Sequence, residues 1–408
     1  MNYLRRDLEQ KFLRMSAFFK AVLITGARQV GKTTMLRRLA KEQNRTYVSL
    51  DNHLERELAK SDPVVFFQTY KPPVIIDEVQ YAPELFSRIK IICDGSGETG
   101  LFWLTGSQQY NMMQNVRETL AGRIGVMELY SLTRHEKDGV IFTEDLDFTL
   151  PNLLNRQARV PQNNIVDIFE HIWRGGMPQL IEADAEQRLA YFNSYIDSYL
   201  MRDVAEFGGI TDALRFGKFL TACAALIAQP VSYKTLADTA EISQPTAKEW
   251  LRLLEGMGIV YLLQPYYNNA LKRLAKTPKL YFCDTGLAAF LSMWITRDTL
   301  MNGAASGHFF ENYAVMEMVK GFAYSKGKAR MSYYRDANGK EIDLFIERDN
   351  TVHPFEIKKS ANPDRREIKK FNVLDKLSVE QGSGGIICMC EETVPIDGKN
   401  FYIPCNIL

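Results

Sequence analysis

Gly26-Ala27-Arg28-Gln29-Val30-Gly31-Lys32-Thr33, followed by Thr34, is the stretch that decides the fold. It has the G-x-x-x-x-G-K-[ST] spacing of a phosphate loop. An apolar run, Ala21-Val22-Leu23-Ile24, precedes it, and a helical pattern, Met35-Leu36-Arg37-Arg38-Leu39, follows. Strand, loop and helix in that order are the context the motif needs in order to cradle phosphates. Successive backbone N–H groups wrap the anion, and the helix N-terminus adds a favourable dipole. Gly26 and Gly31 permit backbone geometry and close approach that a side chain would block. Lys32 reaches the β and γ phosphates, and the Thr33 hydroxyl is suited to Mg²⁺. Residues 26–34 are therefore expected to bind a nucleoside triphosphate.

Two further strand ends complete the pattern. Val74-Ile75-Ile76 runs into Asp77 and Glu78. An Asp at a strand's C-terminal end holds Mg²⁺ through water in phosphate-loop NTPases, and Glu78 is placed to orient or deprotonate the attacking water. Leu101-Phe102-Trp103-Leu104 ends in Thr105-Gly106-Ser107-Gln108. A polar side chain there would sit between metal and γ-phosphate; Ser107 is the first choice and Gln108 the second.

Composition bounds the rest. The 408 residues are 46% hydrophobic and 24% charged, ordinary values for a globular chain with two or three domains. A net charge of +1 provides no global field for nucleic acid or membrane, so any such contact must be local. Six cysteines lack a C-x-x-C pair and metal-ligand spacing, which fits a reducing cytosol. No apolar run approaches the length of a membrane helix, about 18 residues or more. The charged start, Met1-Asn2-Tyr3-Leu4-Arg5-Arg6-Asp7, does not read as a signal peptide, and a cytoplasmic location is expected.

From residue 21 to about 130, apolar runs at 21–24, 46–50, 74–76, 101–104 and 124–129 alternate with helical stretches. That is the signature of a parallel sheet covered by helices. Residues 134–165 are poorly patterned. Farther on, 231–240 and 243–255 read as two helices, with Ala247, Trp250, Leu251 and Leu254 on one face of the second. Strand patterns at 259–263 and 279–282 follow, and helix–turn–helix followed by a hairpin is the winged-helix arrangement. The intervening loop carries Lys272, Arg273, Lys276 and Lys279 without an acid, a phosphate-contacting wing in expectation. The second helix sets Glu249 and Glu255 against Lys248 and Arg252. A DNA reader and a protein-packing or nucleotide-sensing winged helix fit that charge equally.

The last third contains Asn338-Gly339, a strong hairpin turn, between Tyr333-Tyr334-Arg335 and Glu341-Ile342-Asp343-Leu344. Period-two alternation places Ile342, Leu344 and Ile346 on one face and Asp343 on the other; Glu356 and Lys358 likewise project together from the next strand. If the strands pair in register, Asp343, Glu356 and Lys358 converge. Two carboxylates suit Mg²⁺, and a lysine suits a metal-activated hydroxide or a pentavalent phosphate. Glu311, on a helical stretch, would complete the site. This D-x(n)-E-x-K arrangement resembles the nuclease core of restriction-endonuclease-like folds; an alternating charged sheet face gives the same pattern.

Taken together, these motifs resemble the predicted AAA-family ATPases of bacteria and archaea that end in a domain of unknown function. The matching stretches are Thr25 to Thr33, Ile76 to Gln80, Leu104 to Gln108, Leu120-Ala121-Gly122-Arg123, Gly175-Gly176-Met177-Pro178, Tyr199 to Val204, Lys279 to Leu287, Glu341-Ile342-Asp343 and Glu356-Ile357-Lys358. The resemblance implies an α/β fold: an AAA-like P-loop NTPase parallel sheet with helices on both faces, then a winged helix and a small α/β restriction-endonuclease-like domain. The boundaries expected are 1–150 for the ATPase domain, 151–220 for a helical connection, 221–290 for the winged helix and 291–408 for the nuclease-like domain. ATP and Mg²⁺ are the implied cofactors, with hydrolysis. By family analogy Arg123 is a cationic group near the γ-phosphate, in cis or from a neighbouring copy of a homo-oligomer, and Arg202 is a second; either is equally suited to a structural ion pair. The functions expected are an ATPase whose nucleotide state controls the C-terminal parts on double-stranded DNA, an ATP-gated nuclease, or a nucleotide-switched protein-interaction module with neither DNA nor nuclease activity.

Overall fold

The computed structural model describes residues 3–106, 116, 118–142, 144–162, 164–201, 204–205, 209–266, 277–336, 338–377 and 379–408. Ser107, Gln108, Arg202, Lys272, Arg273 and Lys276, all singled out above, lie outside the described residues. The chain forms two compact units: Met1–Leu132 with Leu253–Ile259, and Thr133–Arg252 with Val260–Leu408.

In the first unit each of the five apolar runs is a strand: β1 Ala21–Thr25, β2 Thr46–Ser49, β3 Val74–Asp77, β4 Phe102–Thr105 and β5 Ile124–Glu128. All pair in parallel, in the order β2-β3-β4-β1-β5. β1, β3 and β4 are buried along their whole length, which is why they read as unbroken apolar runs rather than alternating ones. Because the strands are parallel, the residues after Thr25, Asp77 and Thr105 emerge at one end of the sheet, where open α/β sheets bind ligands. The helix Leu8–Phe18 buries Phe12 edge-on against Trp103, with ring centroids 4.8 Å apart.

The second unit holds two sheets. β6 Gln229–Pro230, β7 Val260–Leu263 and β8 Lys279–Phe282 make an antiparallel sheet with β8 in the centre. The accompanying helices, Tyr233–Ala240 and Gln244–Gly256, start at Ser232 and Ser243, whose hydroxyls accept from Thr235 N and Thr246 N. Trp250 packs edge-on against Phe216 and Phe219 of the helix Ala213–Ala225.

The larger sheet has β9 Arg330–Arg335, β10 Glu341–Arg348, β11 Thr351–Lys358, β12 Glu380–Gln381, β13 Gly384–Cys388, β14 Val394–Pro395 and β15 Asn400–Pro404. Its order is β14-β15-β13-β11-β10-β9, with β12 on β11. β9, β10 and β11 are antiparallel; β11, β13 and β15 are parallel. The Asn338-Gly339 turn forms as read, with Gly339 at φ +79°. The strict alternation along β10 does not. A register shift between Ile342 and Phe345 puts those two residues, not Ile342 and Leu344, into one core cluster with Tyr334 and Val352. A bulge adds one residue to the strand and so inverts the parity beyond it.

The Gly175-Gly176 and Cys283-Asp284-Thr285 motifs meet at a buried carboxylate. Asp284 accepts from Gly176 N at 2.8 Å and, as cap of the helix Thr285–Leu291, from Leu287 N at 3.1 Å. A Cβ on Gly175, which sits at φ +80°, would fall 2.2 Å from Asp284 Oδ1. Asp284→Ala strands two buried donors, and chemical denaturation should show a loss of about 3 kcal/mol. A loss below about 1 kcal/mol, the level of an ordinary substitution, would contradict that role.

Candidate functional site

The phosphate loop leaves β1 at Gly26, whose φ is +137°; a Cβ there would lie 2.1 Å from the Leu129 carbonyl oxygen. Only glycine lets the chain turn this close to the extension of β5. Gln29 and Gly31 also have positive φ, at 63° and 100°, and Gly31 starts the helix Lys32–Leu39. The Lys32 ammonium is 5% exposed and donates to the Gly26 and Ala27 carbonyls at 2.9 and 2.8 Å. From the N-terminal side, the buried Arg6 guanidinium donates to the Val30 and Tyr130 carbonyls, bracing the loop against the end of β5. Gly258, in a segment far along the chain, belongs to this unit too; a Cβ on it would stand 3.1 Å from Ala27 N.

Asp77 is the hub of the site. Its Oδ1 accepts the Thr33 hydroxyl at 2.7 Å and the Thr105 hydroxyl, while Oδ2 accepts the Tyr47 hydroxyl at 2.9 Å. Three strands thus aim hydroxyls at one carboxylate: β4 through Thr105, β2 through Tyr47, and β1 through the helix that follows it. Burial, then the Asp77 charge, push the Tyr47 phenol up to about 12, so it stays a donor at neutral pH. Thr105 Oγ1 also accepts from Glu78 N at 3.1 Å. Glu78 adopts the left-handed conformation, φ +57°, and its carboxylate accepts from the Gln80 amide. A non-glycine residue in that region is an uncommon, locally strained choice, and such positions cluster at functional sites.

Around these sit groups that pattern reading missed. Arg28 donates to the Tyr81 hydroxyl at 3.0 Å, and the Arg56 guanidinium stacks 4.0 Å over the Tyr81 ring. Asp51, after β2, is raised above the usual carboxylate range by burial and then by the Glu78 charge. Thr105 carried a signal, the last residue of an apolar run before Gly106, although the expectation settled on its neighbour Ser107. Tyr47 carried none.

Arg123 is a correction. Its carbonyl accepts from Ala21 N, at the start of β1, and its guanidinium pairs with Asp94 at 2.5 Å. β1 has five residues, so the phosphate loop lies about 16 Å away along the strand. That geometry does not support the cis expectation for Arg123 and fits the structural ion pair.

In the second unit, Glu311, Asp343, Glu356 and Lys358 come together. Lys358 Nζ lies 2.7 Å from Glu356 Oε2 and 3.5 Å from Asp343 Oδ2, and Asp343 Oδ2 also accepts from Ile357 N at 2.8 Å. Lys370 adds a second ammonium to Glu356 Oε2 at 2.7 Å and pairs with Glu367 at 2.8 Å. Glu356 Oε1 is buried and accepts no hydrogen bond. Lys279, expected as an exposed wing cation, is instead 2% exposed and pairs with Glu311 at 2.9 Å and Glu341 at 2.6 Å. The Tyr281 hydroxyl donates to Glu311 at 2.8 Å. Among the described residues no group of three or more His, Cys, Asp or Glu side chains is arranged to hold a metal ion. In this cluster lysine ammoniums stand between the carboxylates.

Three family models match successive parts of the chain. Residues 18–137 match a family model described as an AAA domain. That stretch contains all five strands of the parallel sheet and the loop at residues 26–34. Residues 165–298 and 306–408 match two domains of unknown function, DUF8612 and DUF4143. An uncharacterized Mycobacterium tuberculosis protein, Rv2008c, is 27% identical over 88% of this chain and 75% of its own length. An uncharacterized Methanocaldococcus jannaschii protein, MJ1637, is 24% identical over 94% of this chain and 83% of its own. Among solved structures, the Walker-type ATPase paby2304 of Pyrococcus abyssi aligns with TM-score 0.45 and 15% identity, covering 71% of this chain and 96% of that one. The Thermotoga maritima RuvB branch migration motor aligns with TM-score 0.30 and 17% identity, covering 62% and 85%. Among the described residues no helix is long and apolar enough to cross a membrane.

The carboxylate–lysine cluster makes stability pH-dependent. Burial, then the Asp343 charge, push Glu311 and Glu356 up to about 7 from an ordinary 4.5. Between those values the folded chain binds more protons than the unfolded one, so these groups make unfolding easier as pH rises. Urea titrations from pH 5 to 7.5 should show wild type losing stability relative to Glu311→Gln, at up to about 1.4 kcal/mol per pH unit. Parallel pH curves for the two proteins would contradict this.

Proposed function

We propose that this chain is a Mg²⁺-dependent ATPase whose nucleotide state controls its C-terminal parts, a winged-helix unit and a nuclease-like domain that act on DNA. The observation that carries the ATPase reading is the convergence of Thr33, Thr105 and Tyr47 on Asp77, with Glu78 beside it. Thr33 and Asp77 would hold Mg²⁺, which neutralises charge on the phosphates when bound. Lys32 stabilises charge on the β and γ phosphates. Glu78 orients water and accepts its proton as the water oxygen bonds to the γ-phosphorus. The bond from that phosphorus to the β–γ bridging oxygen breaks, and ADP leaves with the bonding pair.

Purified full-length protein should hydrolyse ATP with Mg²⁺. Lys32→Ala or Glu78→Gln should lower turnover by about a hundredfold or more, and Glu78→Gln should keep its affinity for Mg²⁺–ATP. Unchanged turnover in both variants would overturn the assignment. Arg123 supplied by a second copy would make turnover depend on protein concentration.

The nuclease reading draws support from Asp343, Glu356 and Lys358 meeting in one cluster with the buried, unpartnered Glu356 Oε1. Linear and circular DNA incubated with Mg²⁺ or Mn²⁺ should be cut by wild type, and cutting should be lost in Asp343→Ala and in Lys358→Ala. Cutting that survives either substitution counts against these residues. The balanced charge of the helix Gln244–Gly256, Lys248 and Arg252 against Glu249 and Glu255, fits equally well the remaining alternative, a nucleotide-switched protein-interaction module. Absence of DNA binding at low salt, where phosphate contacts are strongest, would select it.

A further inference from the structure

Building on the ATP-binding reading, we propose that the Arg28 guanidinium recognises the terminal phosphoryl group of the nucleotide and so distinguishes a nucleoside triphosphate from a diphosphate. The topology of the first sheet sets the distances. The phosphate loop follows β1, Asp77 and Glu78 end β3, and β4 lies between the two strands. The loop and the carboxylates therefore start about 10 Å apart, two strand spacings. A phosphate cradled by the loop and a water held by Glu78 must meet in that gap. Arg28 crosses it. From the middle of the loop its guanidinium reaches the Tyr81 hydroxyl at 3.0 Å, and Tyr81 N donates to the Glu78 carbonyl at 3.1 Å. The side chain thus joins the phosphate-binding backbone to the turn that carries Glu78.

Both ends of that bridge are held. Lys32 fixes the Gly26 and Ala27 carbonyls before Arg28, and Arg6 fixes the Val30 carbonyl after it. Gln29 turns the chain through a positive φ of 63° immediately beyond. At the far end Tyr81 is 6% exposed, and the Arg56 guanidinium lies 4.0 Å over its ring while donating to the Leu50 carbonyl at 2.7 Å. A guanidinium held at both ends loses less rotamer freedom on meeting a ligand than a free surface arginine does.

The charges around the gap point the same way. Asp51 feels the charges of Glu78 and Asp77, which raise its proton affinity, and those of Arg28 and Arg56, which lower it. Arg28 therefore stands within electrostatic reach of the carboxylate that also senses Glu78 and Asp77. A terminal phosphoryl group entering among three carboxylates needs a cation on their side of the gap. The neighbouring arginines have other work: Arg6 is buried on the loop carbonyls, Arg37 lies 4.9 Å from the Tyr47 ring centroid, and Arg56 stacks on Tyr81. Arg28 donates to a hydroxyl, and a phosphate oxygen is the stronger acceptor for a guanidinium fork. A diphosphate ends one phosphoryl group short and forgoes that contact.

Calorimetric titration of the full chain with the Mg²⁺ complexes of a β,γ-methylene ATP analogue and of ADP tests this without reading any turnover. Wild type should prefer the triphosphate. Arg28→Ala should weaken the analogue about tenfold or more, the size of one charge-assisted hydrogen bond, and leave ADP affinity within about threefold. Retained ADP affinity also shows that the variant folds. An unchanged preference, or equal losses for both nucleotides, would overturn the role, the second outcome marking Arg28 as a structural brace. Should Arg28→Ala fail to fold, Arg28→Gln, which can still donate to Tyr81, decides in its place by the same two readings. A wild type that shows the preference without turning over ATP upholds the recognition and refutes hydrolysis. Turnover with a preference that Arg28→Ala leaves undisturbed keeps the ATPase reading and refutes the assignment of Arg28.

Discussion

The hydroxyl groups of Thr33, Thr105 and Tyr47 all donate to the carboxylate of Asp77, and the first unit is arranged around that convergence. A buried carboxylate costs several kcal/mol unless its lone pairs are used. Here three donors from different parts of the sheet use them. β3 lies between β2 and β4, so that Tyr47 on one side and Thr105 on the other reach its C-terminal residue. The helix after β1 brings Thr33 to the same oxygen as Thr105. The strained turn at Glu78 is then held by Thr105 from the backbone side and by Gln80 from the side chain.

How much of this the residues announce depends on how local the constraint is. The phosphate loop is legible because one continuous segment must satisfy a backbone requirement, visible in Gly26 and Gly31. The five strands are legible because wholly buried parallel strands are unbroken apolar runs. Tyr47 and Thr105 were not singled out, since their partner Asp77 is distant in the chain and neither residue type is unusual where it stands. Arg123 misled in its cis form because a motif conveys spacing along the chain, whereas the start and end of β1 lie at opposite ends of the sheet.

The second unit shows the same division. Asp343, Glu356 and Lys358 were legible from alternation on β10 and β11, even though the bulge at Asp343 breaks that alternation for Leu344 and Phe345. Lys279 was misread because a run of basic residues without acids looks like a solvated loop. Its acidic partners, Glu311 and Glu341, arrive from elements that follow much later. Ion pairs formed by distant residues leave no local trace, and here they turn a surface cation into the centre of a buried network. Glu311 and Glu356 keep raised proton affinities because burial and Asp343 outweigh the ammoniums beside them.

In the proposed ATPase the loop at residues 26–34 and Asp77 act together on a metal–nucleotide complex. Isothermal titration of a slowly hydrolysed ATP analogue, with Mg²⁺ and again in excess chelator, tests that directly. Binding should saturate at one site per chain and weaken when Mg²⁺ is withheld. Absence of binding in both titrations, or equal affinity with and without Mg²⁺, would contradict it.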